Sequence, residues 1–329
     1  MGRQDSPHQR LRCAIKELLE ENGYSEDDVR QLLDQVPRGW ERHGDLVLFS
    51  RAAIYDPRWD RVRSRLWSVC CEKLQCQRLA IGGSIASDGH RTPRVELVVG
   101  DHGWVTHVDN KIKYTFDVTQ CMFSAGNVTE KLRVASLPCR GQTVVDLYAG
   151  IGYFTLPYLV HAGASHVHAC EWNPAAVEAL RKNLQLNGVA DRCTVHVGDC
   201  RQACPERVAD RVNLGLIPSS AEGWPTACRA LNPDRECCWM HVHENVECKP
   251  STTETKRELW QDRARQVCAA MEDLLRHHGR GWTVTCEHIE RVKSYAPHVD
   301  HLVLDLRCQQ LSGGVCGSKT GVTAVSETH

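Results

Sequence analysis

Apolar and polar positions follow three successive patterns along the 329-residue chain. Residues 11–22 carry apolar side chains at helical spacing, namely Leu11, Ile15, Leu18 and Leu19. This segment stops at Gly23, which suits the C-terminus of a helix. Ser25 then opens a second segment of helical pattern that ends before Pro37. We therefore predict a helical pair over residues 1–38.

Short β-rich runs replace this pattern over residues 39–120. The runs DLVLF, RVELVVG, GWVTHVDN and IKYTFDVT are separated by Gly, Asp and Asn, as in an antiparallel or mixed sheet. Between them, RWDRVRSRLW places Arg58, Arg61 and Arg65 at helical spacing. The three arginines form either a phosphate-binding stripe or an ordinary solvated helix face. We predict a small α+β domain here.

From residue 142 onward the chain alternates strand and helix patterns, beginning with TVVDLYA and ending with WTVTCEHIE and HLVLDLRC. This alternation is typical of a doubly wound parallel sheet with helices on both faces. The predicted fold class is α/β, with a Rossmann-like domain at residues 121–308 that follows the smaller α+β domain. Residues 309–329, rich in Gly, Ser and Thr, are predicted to be a disordered tail.

Composition adds only weak constraints on function. The 40 Lys and Arg balance 41 Asp and Glu, so net charge neither supports nor excludes a nucleic-acid partner. The sequence shows no signal-peptide pattern and no apolar run long enough to span a bilayer, which predicts a cytoplasmic protein without membrane contact. The 18 cysteines are scattered and lack C-x-x-C spacing, so we expect reduced thiols and no metal. His241 and His243 share a strand face; a metal role is the less favoured alternative to ordinary polar positions.

Polar and turn residues follow four strands of the predicted sheet and converge on one crevice. The first strand leads into VVDLYAGIGYF, and the later ones lead into Glu171, into Asp199 and Cys200, and into the segment from Asn213 to Pro218. The candidate binding residues of this edge are Asp146, Gly150, Gly152, Glu171, Asp199 and Cys200.

The spacing of these residues indicates an adenosine ligand. A dinucleotide fingerprint needs a third glycine, which is missing after Gly152, so NAD is disfavoured. Glu171 follows the glycine turn by about 20 residues and is placed to accept both ribose hydroxyls. Asp199 is placed to accept from the adenine amino group, and the backbone N–H of Cys200 to donate to a ring nitrogen. These residues predict an adenosine pocket without a pyrophosphate.

Several longer stretches resemble one enzyme family. TFDVTQCMFSAGNVTEKLRVASL, VVDLYAGIGYFTLPYL, EWNPAAVEALRKNLQLNGV, GDCR and NLGLIPSSAEGWPTACRAL are similar to segments of the wybutosine-synthesising tRNA aminocarboxypropyltransferases. These enzymes have a class I S-adenosylmethionine fold. The resemblance extends over residues 40–308 and is closest over 115–235. The tRNA guanosine-37 N1-methyltransferases are related and share the fold.

Two departures distinguish the branches of this resemblance. Gly126 stands where the methyltransferases carry a catalytic arginine, and NLGLIPSS lacks their early proline. Both favour the aminocarboxypropyl branch. The resemblance implies Ser124, Lys131, Glu171, Asp199 and Cys200 as contacts to S-adenosylmethionine, with Lys131 supplying positive charge near its carboxylate.

The resemblance implies transfer of the 3-amino-3-carboxypropyl group to 4-demethylwyosine at position 37 of phenylalanine tRNA. Methyl transfer to tRNA and a non-catalytic tRNA-binding scaffold are the alternatives. The proton acceptor is Asn213 or a water, and Tyr153, Pro218 and Trp224 are candidate walls for a splayed-out base. For Trp224, ordinary core packing is favoured. The arginines near residues 58–65 are the candidate tRNA contact of the smaller domain.

Overall fold

The computed structural model describes residues 6–50, 54, 56–85, 92–123, 125–249, 255–277 and 281–311. Its N-terminal part combines three helices with a four-stranded mixed sheet of order β1-β2-β3-β4. These elements are α1 (Pro7–Glu21), α2 (Glu26–Asp34), β1 (Glu41–His43), β2 (Leu46–Ser50), α3 (Arg63–Leu74), β3 (Arg78–Ile85) and β4 (Pro93–Val99).

Both predicted N-terminal helices are confirmed. Ser6 caps α1 in a reciprocal capping box, because its hydroxyl accepts from the Gln9 backbone N–H while the Gln9 side chain accepts from the Ser6 N–H. Ser25 caps α2 by accepting from the backbone N–H of Asp28. The apolar faces of α1, α2 and α3 pack on β2 and β3 in one core that contains Leu11, Phe49 and Trp59.

The candidate arginine stripe does not form a continuous helix face. Arg58 and Arg61 lie in a 3₁₀ helix over Pro57–Arg61, and α3 begins only after it. The Arg58 guanidinium binds the carboxylates of Asp28 and Asp56 at 2.7 Å each. Arg61 stacks over the Tyr24 ring, and Arg65 pairs with Glu21 of α1. These contacts join α3 and the preceding 3₁₀ helix to the helical pair. The carboxylates of Asp28, Asp56 and Glu21 neutralise positive charge that was a candidate for phosphate binding.

A two-stranded hairpin follows the mixed sheet. Its strands are β5 (Trp104–Asp109) and β6 (Ile112–Asp117), and Asn110 and Lys111 turn between them with φ of 48° and 63°, as a two-residue type I′ turn requires. The hairpin packs on both sides, because Val105 and Phe116 share a core with Leu46 of β2 and with Leu180. It thus belongs as much to the second part of the chain as to the first.

A seven-stranded sheet of order β12-β13-β11-β10-β7-β8-β9 forms the second part. Its strands are β7 (Thr143–Asp146), β8 (His166–Glu171), β9 (Cys193–Val197), β10 (Arg211–Leu214), β11 (Cys237–Glu247), β12 (Trp282–Ala296) and β13 (Val299–Gln310). The helices are α4 (Val128–Ala135), α5 (Thr155–Val160), α6 (Pro174–Leu186), α7 (Cys200–Ala203), α8 (Trp224–Ala230) and α9 (Lys256–His277). Separate apolar cores cover the two faces, one with α5 and α6 and the other with α8 and α9.

The prediction of an all-parallel sheet is wrong for its last strands. Strands β7 to β11 pair in parallel, whereas β13 is antiparallel to both β11 and β12. Only Pro297 and His298 connect β12 to β13, and a connection of two residues joins antiparallel strands, since parallel ones need a long crossover. β13 also runs to Gln310, past the predicted tail boundary at 309; residues 312–329 of that tail lie outside the described residues.

Within the residues that the structure describes, no helix combines the length and apolar character needed to cross a bilayer.

Candidate active site

A crevice of about 660 Å³ opens at the carboxyl ends of β7, β8, β9 and β10. Four of its wall segments are the strand-end segments singled out in the sequence, and further lining residues before α4 are Gln120, Cys121, Met122 and Asn127. Its volume suits a nucleoside-sized ligand. The structure therefore brings Gly150, Glu171, Asp199 and Cys200 together in one wall.

The turn after β7 depends on two glycines. Gly150 and Gly152 have φ of 56° and 100°, a region that residues with a Cβ rarely adopt. Gly152 is also enclosed, since an added Cβ would lie 3.1 Å from both Leu156 and Leu180. The turn thus presents backbone N–H groups at the crevice and packs closely on α6.

The Glu171 carboxylate holds this turn against the end of β8. Its Oε2 accepts from the Gly150 N–H at 2.8 Å, and its Oε1 accepts from the N–H groups of Trp172 and Asn173 at 3.0 and 2.8 Å. Burial raises the pKa of Glu171, while the three backbone donors act to lower it. An ionised carboxylate at this place has further lone pairs for the two ribose hydroxyls of an adenosine.

Asp199 also lines the crevice and is engaged by a residue that the sequence analysis did not single out. Arg201 donates to the Asp199 carboxylate at 2.6 Å and also reaches Glu222 at 3.0 Å. The Arg201 hydrogen bond is the main cause that lowers the pKa of Asp199. Burial raises the pKa of the neighbouring Cys200 thiol to about 11, so this cysteine contributes a neutral side chain and its backbone N–H.

Asp146 and Asn213 form a buried pair beneath the crevice. Asp146 accepts from the Thr155 hydroxyl at 2.8 Å and from the Asn213 amide at 3.0 Å, and burial raises its pKa. The pair fixes the ends of β7 and β10 beside each other. Asn213 directs its amide N–H groups at Asp146, and its Oδ1 has no hydrogen-bond partner among the described residues, so the structure gives it a supporting position and not one in the crevice wall.

Lys131 lies elsewhere than expected. Its side chain is only 2% exposed, and its ammonium pairs with Asp109 and lies over the rings of Tyr114 and Phe123. The lysine therefore joins α4 to the hairpin, and it is not one of the crevice-lining residues. Ser124, the other expected contact before α4, lies outside the described residues.

The three candidate base walls divide between crevice and core. Tyr153 lines the crevice, and its hydroxyl binds the Met122 carbonyl. Trp224, the first residue of α8, is buried in the core and its indole N–H donates to the Ser220 hydroxyl at 3.3 Å, which confirms the packing interpretation. Pro218 is exposed and outside the lining. Tyr148 and Trp172, which the sequence analysis did not single out, line the crevice, and their aromatic rings at strand ends were the available signal.

His241 and His243 make hydrogen bonds between neighbouring strands of the seven-stranded sheet. His241 accepts from Arg211 at its Nε2, because a guanidinium only donates, and so its Nδ1–H donates to Asp305 at 2.5 Å. His243 hydrogen-bonds His301 at 3.1 Å. In the described parts of the chain, no group of three or more His, Cys, Asp and Glu side chains is arranged to hold a metal ion.

Buried histidines make stability depend on pH. Burial is the main cause that lowers the pKa values of His168, His241 and His301 to about 4, below the ordinary value of about 6.5. Between these values the unfolded chain binds more protons than the folded one, so stability falls as pH falls through that window. We expect the Tm to drop between about pH 6.5 and about pH 4.

Scanning calorimetry at several pH values measures this drop. His168→Gln is expected to flatten it, and exchange of the exposed His277 to Gln serves as the matched control that leaves it unchanged. A Tm independent of pH across the window would contradict the assignment of these histidines as neutral.

The strand order, the glycine turn after β7 and the acid after β8 define a class I methyltransferase-like fold with an adenosine pocket. The sequence profile described as the TRM5/TYW2 methyltransferase domain matches residues 105–268, and the profile of the TYW2 N-terminal domain matches residues 15–103. The chain belongs to the TYW2 family, the tRNA wybutosine-synthesizing protein 2 homologues.

Individual relatives agree with this assignment. The tRNA wybutosine-synthesizing protein 2 homolog of Rattus norvegicus is 48% identical over 92% of this chain and 78% of its own length. The Homo sapiens homolog is 47% identical over 92% of this chain and 76% of its own length. The crystal structure of P. horikoshii TYW2 in complex with MeSAdo superposes with a TM-score of 0.67 at 29% identity, covering 91% of this chain and 99% of that one.

Proposed function

We propose that this protein transfers the 3-amino-3-carboxypropyl group of S-adenosylmethionine to the 4-demethylwyosine base at position 37 of phenylalanine tRNA. The observation that carries the proposal is the adenosine-sized crevice with Glu171 in its wall, in a chain whose relatives are named for wybutosine synthesis along more than nine-tenths of its length. The cytoplasm is the proposed compartment, because most of the described cysteines are buried free thiols, as is usual in reducing compartments.

S-adenosylmethionine supplies a sulfonium whose three attached carbons are all activated toward a nucleophile. The carbon that faces the acceptor at near-attack distance is the one transferred, so orientation decides the product. In this proposal Glu171 and Asp199 hold the adenosine, and the segment before α4, which lines the crevice with Met122 and Asn127, faces the rest of the donor. Transfer of the larger group requires that the crevice hold the donor with its γ-carbon toward the acceptor base.

The acceptor base has to leave the anticodon-loop stack to reach the crevice. Bases that are splayed out are commonly held between aromatic or apolar side chains. Tyr153 and Leu216 line the crevice beside Ile217, and they provide apolar surface for a tricyclic ring. Because Glu171 and Asp199 hold the nucleoside of the donor in this proposal, the apolar part of the crevice stays free for the acceptor base.

The second candidate, methyl transfer, shares the fold and the cofactor pocket. Gly126 disfavours it, since a glycine cannot supply the catalytic arginine that the resemblance places there in the methyltransferases. The two reactions also differ in the acceptor they need, which is a tricyclic base in one and a guanosine in the other.

Nucleoside mass spectrometry tests the acceptor directly. The protein is incubated with S-adenosylmethionine and either phenylalanine tRNA bearing 4-demethylwyosine or the same tRNA with unmodified guanosine at position 37. We expect the tricyclic nucleoside to gain an aminocarboxypropyl group and the guanosine to stay unchanged. A methylated guanosine with an unchanged tricyclic base would contradict the proposal.

A further inference from the structure

Lys293 of β12 carries a positive charge to the segment that precedes α4, next to a residue of the crevice wall. An ideal Cβ placed on Gly126 would lie 2.5 Å from the Lys293 Nζ, so the ammonium fills the space beside that glycine. Gly126 directly precedes Asn127, which lines the crevice. Among the ion pairs of the described residues, none involves Lys293; its neighbour Arg291 instead pairs with Asp300.

Asn127 adds an unused acceptor at the same place. It occupies the N-cap position of α4, yet its side chain makes no capping hydrogen bond. Its Oδ1 is buried and has no partner in the parts of the chain that the structure describes. Buried amide oxygens without a partner are rare in folded proteins, and a bound ligand is one way to satisfy them. Lys293 and Asn127 therefore bring a cation and an unused acceptor to the same short segment, residues 126 and 127, of which Asn127 lines the crevice.

We infer that Lys293 and Asn127 bind the amino-acid end of S-adenosylmethionine. This inference rests on the proposed function. The donor ends in an α-carboxylate and an α-ammonium, which need a cation and an acceptor in neighbouring positions. Lys293 Nζ donates to the carboxylate, and Asn127 Oδ1 accepts from the ammonium. Lys131, the other lysine near α4, is enclosed and paired with Asp109, so its charge is already used.

This contact also determines which carbon is presented. The group to be transferred is the part of the donor that Lys293 and Asn127 hold, whereas Glu171 and Asp199 hold the nucleoside. Fixing both ends of the donor leaves the sulfonium and the γ-carbon between two anchored parts. Positioning of this kind is what selects one of three activated carbons.

Calorimetric titration with two ligands isolates the contact. Methylthioadenosine shares the nucleoside and sulfur of S-adenosylmethionine but lacks the amino-acid end. Lys293→Ala is expected to weaken S-adenosylmethionine binding by about 10- to 100-fold, as loss of a charge-assisted hydrogen bond does, and to leave methylthioadenosine binding unchanged. Lys293→Arg retains the charge and is expected to recover most of the lost affinity.

A second variant removes the contact without altering the lysine. Gly126→Ala places a methyl group where the Lys293 ammonium lies, and the flexible lysine side chain can move away at little cost to stability. It is expected to weaken binding of S-adenosylmethionine selectively, as Lys293→Ala does. Gly39→Ala is the matched control, because a Cβ at Gly39 has no atom within 4 Å.

The outcomes separate this inference from the function on which it rests. Equal losses for both ligands, or unchanged S-adenosylmethionine binding with weaker tRNA binding, would overturn the assignment of Lys293 and leave the proposed function standing. The inference would also be overturned if the wild-type protein bound S-adenosylmethionine no more tightly than methylthioadenosine, because the amino-acid end would then contribute no affinity. A wild-type protein that binds neither ligand would overturn the proposed function together with the inference.

Discussion

Replacement of Glu171 by glutamine is expected to weaken S-adenosylmethionine binding by about 100-fold and to lower kcat/KM with it. Both carboxylate oxygens accept backbone N–H groups, one from Gly150 and the other from Trp172 and Asn173. A glutamine offers only one oxygen, so its NH₂ group faces an N–H donor whichever way the amide turns. The turn and the proposed acceptor for the ribose hydroxyls are then disturbed together.

Calorimetry with S-adenosylmethionine measures this loss, and Glu178→Gln is the matched control. Glu178 lies on the exposed face of α6 and makes a surface ion pair with Lys182 at 2.7 Å, a kind of contact that contributes little to stability. The control variant should bind like wild type. Retention of wild-type affinity by Glu171→Gln would contradict the role of this carboxylate.

The second large effect is expected for Gly152→Ala. With φ of 100° the backbone at this position is strained for any residue with a Cβ. The added methyl would also lie 3.1 Å from Leu156 and Leu180, so close packing between the turn and α6 opposes it. We expect a loss of about 2 kcal/mol or more in the free energy of unfolding, together with weaker ligand binding.

Gly188→Ala separates the two causes of this loss. Gly188 also has positive φ, at 66°, but a Cβ there has no atom within 4 Å. Its replacement carries only the conformational cost of about 1 kcal/mol, and it lies outside the crevice lining. Thermal unfolding of the two variants compares them directly, and equal losses would show that packing around Gly152 contributes nothing.

The ends of the parallel strands are the part of the site that the sequence predicted. The crevice is lined by Gly150, Glu171, Asp199 and Cys200. Residues that directly follow parallel strands all lie at the carboxyl edge of the sheet, and ligands bind there in folds of this kind. The adenosine interpretation depended on this local order. Local order also predicted the two N-terminal helices and the start of the second one at Ser25, whose hydroxyl accepts from the backbone N–H of Asp28 three residues later.

Contacts between distant segments could not be predicted in the same way. The family resemblance implied a ligand-binding role for Lys131, but its partner Asp109 comes from the preceding hairpin. Lys293 reaches Gly126 across more than 160 residues of sequence, because β12 lies near the segment that precedes α4. The arginines near α3 likewise meet acids of α1 and α2. Charge pairing of this kind depends on tertiary packing, which periodicity does not encode.

The most direct test of the account is the identity of the small-molecule product released in a complete reaction. The protein is incubated with S-adenosylmethionine and phenylalanine tRNA bearing 4-demethylwyosine, and the released nucleosides are separated by liquid chromatography and mass spectrometry. Aminocarboxypropyl transfer predicts methylthioadenosine in amounts equal to the modified tRNA. Release of S-adenosylhomocysteine instead would contradict the account, because it would mean that the methyl carbon faces the acceptor.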